Sequence, residues 1–214
     1  MKMIGFVNCT TRVRTAAKAL ACAFLICAFC SMTRFDAQSR EISREVVRLH
    51  ILANSDSEED QRLKLTVRDA VLRLCADIYP GSCTKEEAES LLRKKLPQIE
   101  AEARRVVREC GYDYPVRGEL VNMYFTTRTY GNVTLPAGKY DALRIEIGSG
   151  QGHNWWCVMF PPICVGAAQA RISDALSPEQ TELVCSQGVE YKFKIYEIYE
   201  NIVSEKRDSK EVSK

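Results

Sequence analysis

The residues best equipped for chemistry fall in one stretch, Arg128 to Cys164, which reads RTYGNVTLPAGKYDALRIEIGSGQGHNWWCVMFPPIC. A thiol enzyme needs a cysteine and a base at fixed geometry, and this stretch supplies Cys157 and His153. If Cys157 stands on a strand, a residue four positions away shares its face but lies ~13 Å along it, too far for proton transfer. The other histidine, His50, reaches Cys157 only if folding joins distant parts of the chain. Trp156 and Val158 flank the thiol, and no helix start or basic cluster stands beside it to stabilise a thiolate. An exported cysteine-dependent hydrolase using Cys157 with a histidine is therefore the alternative reading, and no enzyme is the preferred one.

Other chemistries have weaker footing. With two histidines far apart and no Cys-x-x-Cys in the body, no zinc site is expected. Asp56, Glu58, Glu59 and Asp60 lack the spacing of an EF-hand loop and suit the positive start of a helix instead. Gly148-x-Gly150-x-Gly152 opens into an apolar run that reads as a strand, so the helix N-terminus that would cradle a phosphate is missing. No metal, cofactor or small-molecule substrate is expected.

The elements that position these residues can be read from periodicity and turn signals. Val47, Leu49 and Ile51 alternate with Arg48 and His50 as a strand. Asp56 with Glu59 forms a candidate capping box for a helix over 57–78, ended by Pro80-Gly81, with Leu63, Val67, Ala70, Val71 and Leu74 as its apolar stripe. Thr84 and Glu87 form a second box, for a helix carrying Ala88, Leu91, Leu92 and Leu96. Pro97 is read as the first turn of a new helix that Gly111 closes at Glu109. Arg104, Arg105 and Arg108 beside Glu100 and Glu102 read as a solvated helix face.

A strand then runs from Val116 to Phe125. A short edge piece follows at Val133–Leu135 between two turns, with Leu143, Ile145 and Ile147 as the buried face of the next strand, and Trp155 to Phe160 is a last strand that Pro161 ends. Adjacent strand residues face opposite ways, so Trp155 and Trp156 belong to different faces of the sheet. Residues 171–176 read as a loop or single helical turn, Tyr191–Ile195 as a strand by alternation, and Tyr196–Lys206 as a helix. The sum is an α+β fold: an N-terminal strand and two to three helices packed on a mostly antiparallel sheet covered on one face.

The chain has 214 residues, 46% hydrophobic and 27% charged, with a formal net charge of +2. Five of its 30 basic residues, Lys2, Arg12, Arg14, Lys18 and Arg34, stand in residues 1–34, which hold no acid, leaving 25 against 28 acids in the body. A body without basic excess is not built to bind nucleic acid. The basic head precedes an uncharged run, Ala19 to Thr33, short of the ~20 residues of a spanning helix; that is the pattern of an export signal or short anchor. Residues 1–36 are assigned to this segment, 37–206 to one signalling domain joined through a polar linker over Asp36–Ser43, and 207–214 to a charged tail. Six of the ten cysteines, Cys75, Cys83, Cys110, Cys157, Cys164 and Cys185, lie in the body, an even number that suits disulfides in an exported domain. Cys157 and Cys164, flanking the Pro161-Pro162 bend, are the candidate pair, whereas Cys75 on a helical apolar face reads as a small buried hydrophobe.

Three segments carry a resemblance: RLHILANSDSEEDQRLKLTVRDAV from Arg48 to Val71, YPVRGEL from Tyr114 to Leu120, and TRTYGNVTLPAGKYDALRIEIGSGQGHNWWCVMFPPIC from Thr127 to Cys164. With the exported head, they resemble the stage II sporulation protein R family of endospore-forming Gram-positive bacteria. The resemblance implies a protein made in the forespore and exported into the space between forespore and mother-cell membranes, where its N-terminal segment contacts membrane. There it would activate a membrane-bound aspartic protease of the mother cell, which cleaves the precursor of the mother-cell sigma factor. Position within these motifs assigns Asn54, Asp56, Arg128, Tyr130, Asn154 and Trp155 to the partner contact.

Overall fold

A computed structural model describes residues 3–76, 84–161, 172, 175–186 and 188–198, with side chains from residue 13 onward except 28, 29 and 32. The chain divides into two units, residues 1–38 and 39–214. The first lies within helix α1, Met3–Arg44, whose described side chains from Val13 to Ile26 are exposed. No helix among the described residues is long and apolar enough to cross a membrane. The expected polar linker over Asp36–Ser43 is instead helical, about the last two turns of α1. No glycine or proline interrupts Phe6 to Arg44, and fully buried Ile42 anchors the helix end in the second unit.

The second unit is a four-stranded sheet of order β2-β5-β1-β6, formed by β1 (Val47–Leu52), β2 (Val116–Phe125), β5 (Gly138–Ile147) and β6 (Asn154–Phe160). β1 runs parallel to β5 and antiparallel to β6, while β2 and β5 form an antiparallel pair. All six β1 residues are buried, because this strand is central and both faces of the sheet are covered. On the first face Leu49, Ile51, Leu143, Ile145 and Cys157 pack under α2 (Glu58–Ala76) and α3 (Lys85–Glu109). On the second face Phe125, Tyr140, Ala142 and Val158 pack with Ile42, with the ribbon of β3 (Arg128–Tyr130) and β4 (Val133–Leu135), and with α4 (Pro178–Cys185). The expectation of a sheet covered on one face is thus corrected to two, the second layer coming from segments too short or too irregular to show periodicity.

Local signals explain most boundaries. Thr84 and Glu87 make the expected capping box, and Lys85, buried in the first turn of α3, ties it to Asp141 of β5. Gly111, at φ 86°, closes α3: its N–H donates to Arg108 O at 2.9 Å and that of Tyr112 to Val107 O at 3.1 Å. Two expectations fail. Pro97 starts no new helix but sits inside α3 on its exposed side, where water can serve the carbonyl it strands, while Leu92, Ile99 and Ala103 hold both halves to the sheet. Tyr191–Ile195 is not a strand but part of a helix, α5, over 189–198; its buried residues Val189, Phe193 and Tyr196 follow helical spacing. Over 171–176, expected as a loop or single helical turn, the Leu176 N–H donates to Ile172 O at 3.0 Å. The expected α2 stop at Pro80-Gly81 and the region beyond 198 lie outside the described residues.

Candidate functional site

Four of the six motif residues meet where β1 ends and β6 begins. Asn54, just past β1, binds two loops at once. Its Nδ2 donates to Asp60 Oδ2 at 2.8 Å and its Oδ1 accepts the Ser149 N–H at 3.0 Å. Its carbonyl accepts Ser149 Oγ at 2.7 Å and Gln151 N–H at 3.2 Å. The glycines of the facing turn are needed for this approach: a Cβ on Gly148, at φ +63°, would lie 2.2 Å from Asn54 Oδ1, and one on Gly152 would lie 2.1 Å from Ser55 O.

Asp60 anchors the staple from below and is buried. Burial opposes its ionisation, but donors from Ser55, Asn54 and Tyr114 outweigh that and hold its carboxyl below the usual range. Ser57 caps α2, its Oγ accepting the Asp60 N–H at 3.2 Å. This corrects the capping box expected at Asp56 and Glu59. Asp56 turns outward instead and grips His153, accepting its backbone N–H at 2.6 Å and bonding its ring Nδ1. Those His153 hydrogen bonds hold the Asp56 carboxyl below its ordinary value. Lys64, buried beneath, donates to His153 O at 2.8 Å and to Gln61 Oε1 at 2.6 Å, and burial lowers its pKa.

The tryptophans divide as alternation requires. Trp155, half-buried, packs against the helix-covered core with the Arg68 guanidinium 4.3 Å over its ring. Trp156 faces the other side and stacks on His50 with centroids 4.0 Å apart and planes 3° from parallel. Asn154 Oδ1 lies 2.7 Å from His50 Nε2, which places a proton on that nitrogen, and burial lowers the His50 pKa.

Arg128 and Tyr130 stand apart from this group, on the β3–β4 ribbon. Arg128 is exposed. Tyr130 accepts from Arg48 Nη2 at 2.8 Å. Arg48 is fully buried; its Nε donates to Cys157 O at 3.2 Å, and Cζ lies 4.5, 5.4 and 4.9 Å from the ring centroids of Phe125, Tyr130 and Tyr140. Among the described residues its Nη1 has no hydrogen-bond partner. Pattern reading misses this box, since Phe125 and Tyr140 are brought to Arg48 only by sheet pairing. The one available signal is a charge in the middle of the apolar run from Val46 to Leu52.

The cysteine chemistry is not assembled. Cys157 is disulfide-bonded and 2% exposed, opposite Leu49 on the helix-covered face, whereas His50 pairs with Trp156 on the other face. His153 is held outward by Asp56 and also stands away from it. Cys164, the expected partner of Cys157, lies outside the described residues. Cys75 is buried and free, its thiol pushed up to about 12 by burial, as suits a small hydrophobe. Among the described residues no group of three or more His, Cys, Asp or Glu is placed to hold a metal. What the site presents is a polar surface on two stapled loops and the start of β6, with Asp56, His153 and Asn154 exposed.

No solved structure matches this chain. A curated relative, "Stage II sporulation protein R" of Bacillus subtilis (strain 168), is 42% identical over 123 residues, which span 58% of this chain and 55% of that protein, little more than half its length. The family model of stage II sporulation protein R matches residues 43–170, from the end of α1 through every strand of the sheet. With its three motifs standing on the central strand, the β2 start and the β3–β6 region of one unit, the chain belongs to the stage II sporulation protein R family.

Proposed function

We propose that this chain is an exported sporulation signal, released from the forespore toward the mother cell, that activates a membrane-embedded aspartic protease and so causes cleavage of a sigma factor precursor. Family membership carries this reading, since it gives the sporulation role. Two features support the exported part. The head combines a basic start with the uncharged run Ala19–Thr33. Cys157 is oxidised to a disulfide, a state that persists outside the reducing cytosol. The proposed partner contact runs over the stapled loops, through Asn54 and Asp56, and the start of β6, through Asn154 and Trp155, with Arg128 and Tyr130 on the β3–β4 ribbon as a second edge.

A disulfide-bonded Cys157 on the face opposite His50 leaves the hydrolase alternative without a thiolate or a base. Reconstitution tests the reading: the chain, the candidate protease and its precursor are co-expressed in a non-sporulating host, with and without residues 1–34. Precursor cleavage that needs both the chain and its head is the expected result. Absence of cleavage, with the chain shown exported and folded, would refute it.

A further inference from the structure

His50 is a buried titratable group on the central strand, outside the proposed partner contact. It is 4% exposed and lies on the second face of the sheet, between its register neighbours Arg144 of β5 and Trp156 of β6. Its two nitrogens have unlike surroundings. Nε2 donates to Asn154 Oδ1, 2.7 Å away, while Nδ1, also buried, has no hydrogen-bond partner among the described residues. In the neutral ring Nδ1 is a bare acceptor; a second proton turns it into an unpaired buried donor on a charged ring.

The charged groups of that face offer the imidazolium little. Glu146 of β5 and Glu119 of β2 are both engaged by Arg144. Arg48, two positions along β1 on the same face, is itself a buried cation bonded to Tyr130. Glu197 of α5 accepts from the Thr127 N–H and from Lys194. Among the described residues, α1, β6 and α4 bring no buried charged side chain. Burial is the largest effect against protonation and Arg144 adds to it. The Asn154 bond and the Glu146 charge do not make up the difference, so the folded pKa lies below its ordinary value.

We infer that His50 is a proton-sensitive latch on the start of β6: the neutral ring holds Asn154 and Trp156 in place, and its protonation releases them. Asn154 takes the ring's one hydrogen bond, and Trp156 is stacked on its face with centroids 4.0 Å apart. Asn154 is exposed and Trp156 half-buried, at the beginning of the outermost strand on that side of the described sheet. The ring therefore reaches water by displacing these two residues and not by unfolding the core. A protonated ring gains attraction to the Trp156 face, but less than the hydration it forgoes by staying buried. Once open, the ring binds its proton at the ordinary pKa, so the latch is closed above about pH 6.5 and loosens as pH falls from there to the folded pKa. The inference does not depend on the proposed signalling role.

The test follows hydrogen exchange of the β6 amides by NMR in the full chain from about pH 7.5 to 5, corrected for the intrinsic pH dependence of exchange, with the His50 ring titrated in the same samples. The chain has two histidines, and the ring signal missing from His50→Gln is that of His50. Opening of β6 should grow by up to about tenfold per pH unit below 6.5, the effect of one proton, and level off at the His50 midpoint. His50→Gln keeps a donor for Asn154 and removes the titration, so this growth is lost. Asn154→Asp, at an exposed position, sets a carboxylate beside Nε2; the His50 midpoint rises and the growth again disappears. Growth that is equal in the parent and in His50→Gln overturns the inference, as does a His50 midpoint in the folded parent at or above about 6.5. Should His50→Gln fail to fold, Asn154→Asp decides alone: growth that persists after the His50 midpoint has risen overturns the inference.

Discussion

Arg48 and Tyr130, 82 positions apart, meet on the second face of the sheet, where the buried guanidinium donates to the phenol oxygen at 2.8 Å. The bond ties the β3–β4 ribbon to the central strand and gives a buried cation one of its few acceptors. Tyr130→Phe strands that donor and is expected to destabilise by about 1–3 kcal/mol. Arg48→Met removes the charge that needed the acceptor, so Tyr130→Phe added to it should cost far less. A double-mutant cycle by urea unfolding checks this; additive losses would mean that the two side chains act independently.

The stapled loops make a second prediction that separates backbone conformation from crowding. Gly148 and Gly150 share φ +63°, but a Cβ on Gly150 meets nothing nearer than 3.7 Å while one on Gly148 meets Asn54 Oδ1 at 2.2 Å. Gly150→Ala should cost only the left-handed penalty, about 1–2 kcal/mol. Gly148→Ala adds the loss of the Asn54 bonds and should cost at least about 2 kcal/mol more. Gly152→Ala should be similarly severe, because its Cβ would press on Ser55 backbone at 2.1 Å. Thermal unfolding of the three variants gives the order directly.

What the sequence discloses here follows from how local each determinant is. The strand at Val47–Leu52, the box at Thr84 and Glu87 and the opposite facing of Trp155 and Trp156 rest on spacing alone, and the structure has all three. Asp56 was legible as an acid at a helix start but not as the clamp on His153, which lies 97 positions away. Tyr191–Ile195 alternates like a strand, yet Phe193 and Tyr196 decide for helix, because an alternating run of five fits both periods until its buried neighbours are known. The Arg48 box needed the pairing of β1 with β5 and β6, which no local pattern contains.

Asp60 makes the fold pH-dependent. Its folded pKa lies below the unfolded value, so the stability it supplies is present above the unfolded pKa, about 4, and is lost as pH falls through the folded one. Asp60→Asn should remove this contribution, costing about 1.5–3 kcal/mol at neutral pH through the charge-assisted bonds it weakens. The gap between variant and parent should then close as pH drops below about 4. Denaturant midpoints measured from pH 7 down to pH 3 provide the check; a gap that stays constant would mean that Asp60 acts only through shape.

Pro97 is a site where the chain is less stable than its fold permits. It stands exposed inside α3, with helix continuing on both sides to Lys85 and Glu109. Pro97→Ala restores a backbone donor to the Arg93 carbonyl and relieves the ring clash, a change worth up to about 3 kcal/mol in a helix interior. The expected result is a higher unfolding midpoint with an unchanged denaturant slope. A lower midpoint would mean that the proline backbone at position 97 is needed to seat Leu92 and Ile99 together.

The cysteines report on both compartment and chemistry. Cys110 is exposed and free, Cys75 is buried with its thiol pushed up to about 12, and Cys157 is disulfide-bonded. Brief iodoacetamide treatment of the folded chain at pH 8 should therefore label Cys110, spare Cys75 until denaturant is added, and leave Cys157 unlabelled unless it is first reduced, because only an accessible thiolate reacts. Peptide mass mapping reads the three sites separately. In the reconstituted system, a folded Cys157→Ser variant should still cause precursor cleavage, at a level reduced no further than its lower stability explains. A folded and exported variant that is wholly inactive would show that the sulfur itself is required, and the thiol chemistry set aside on geometry would have to return.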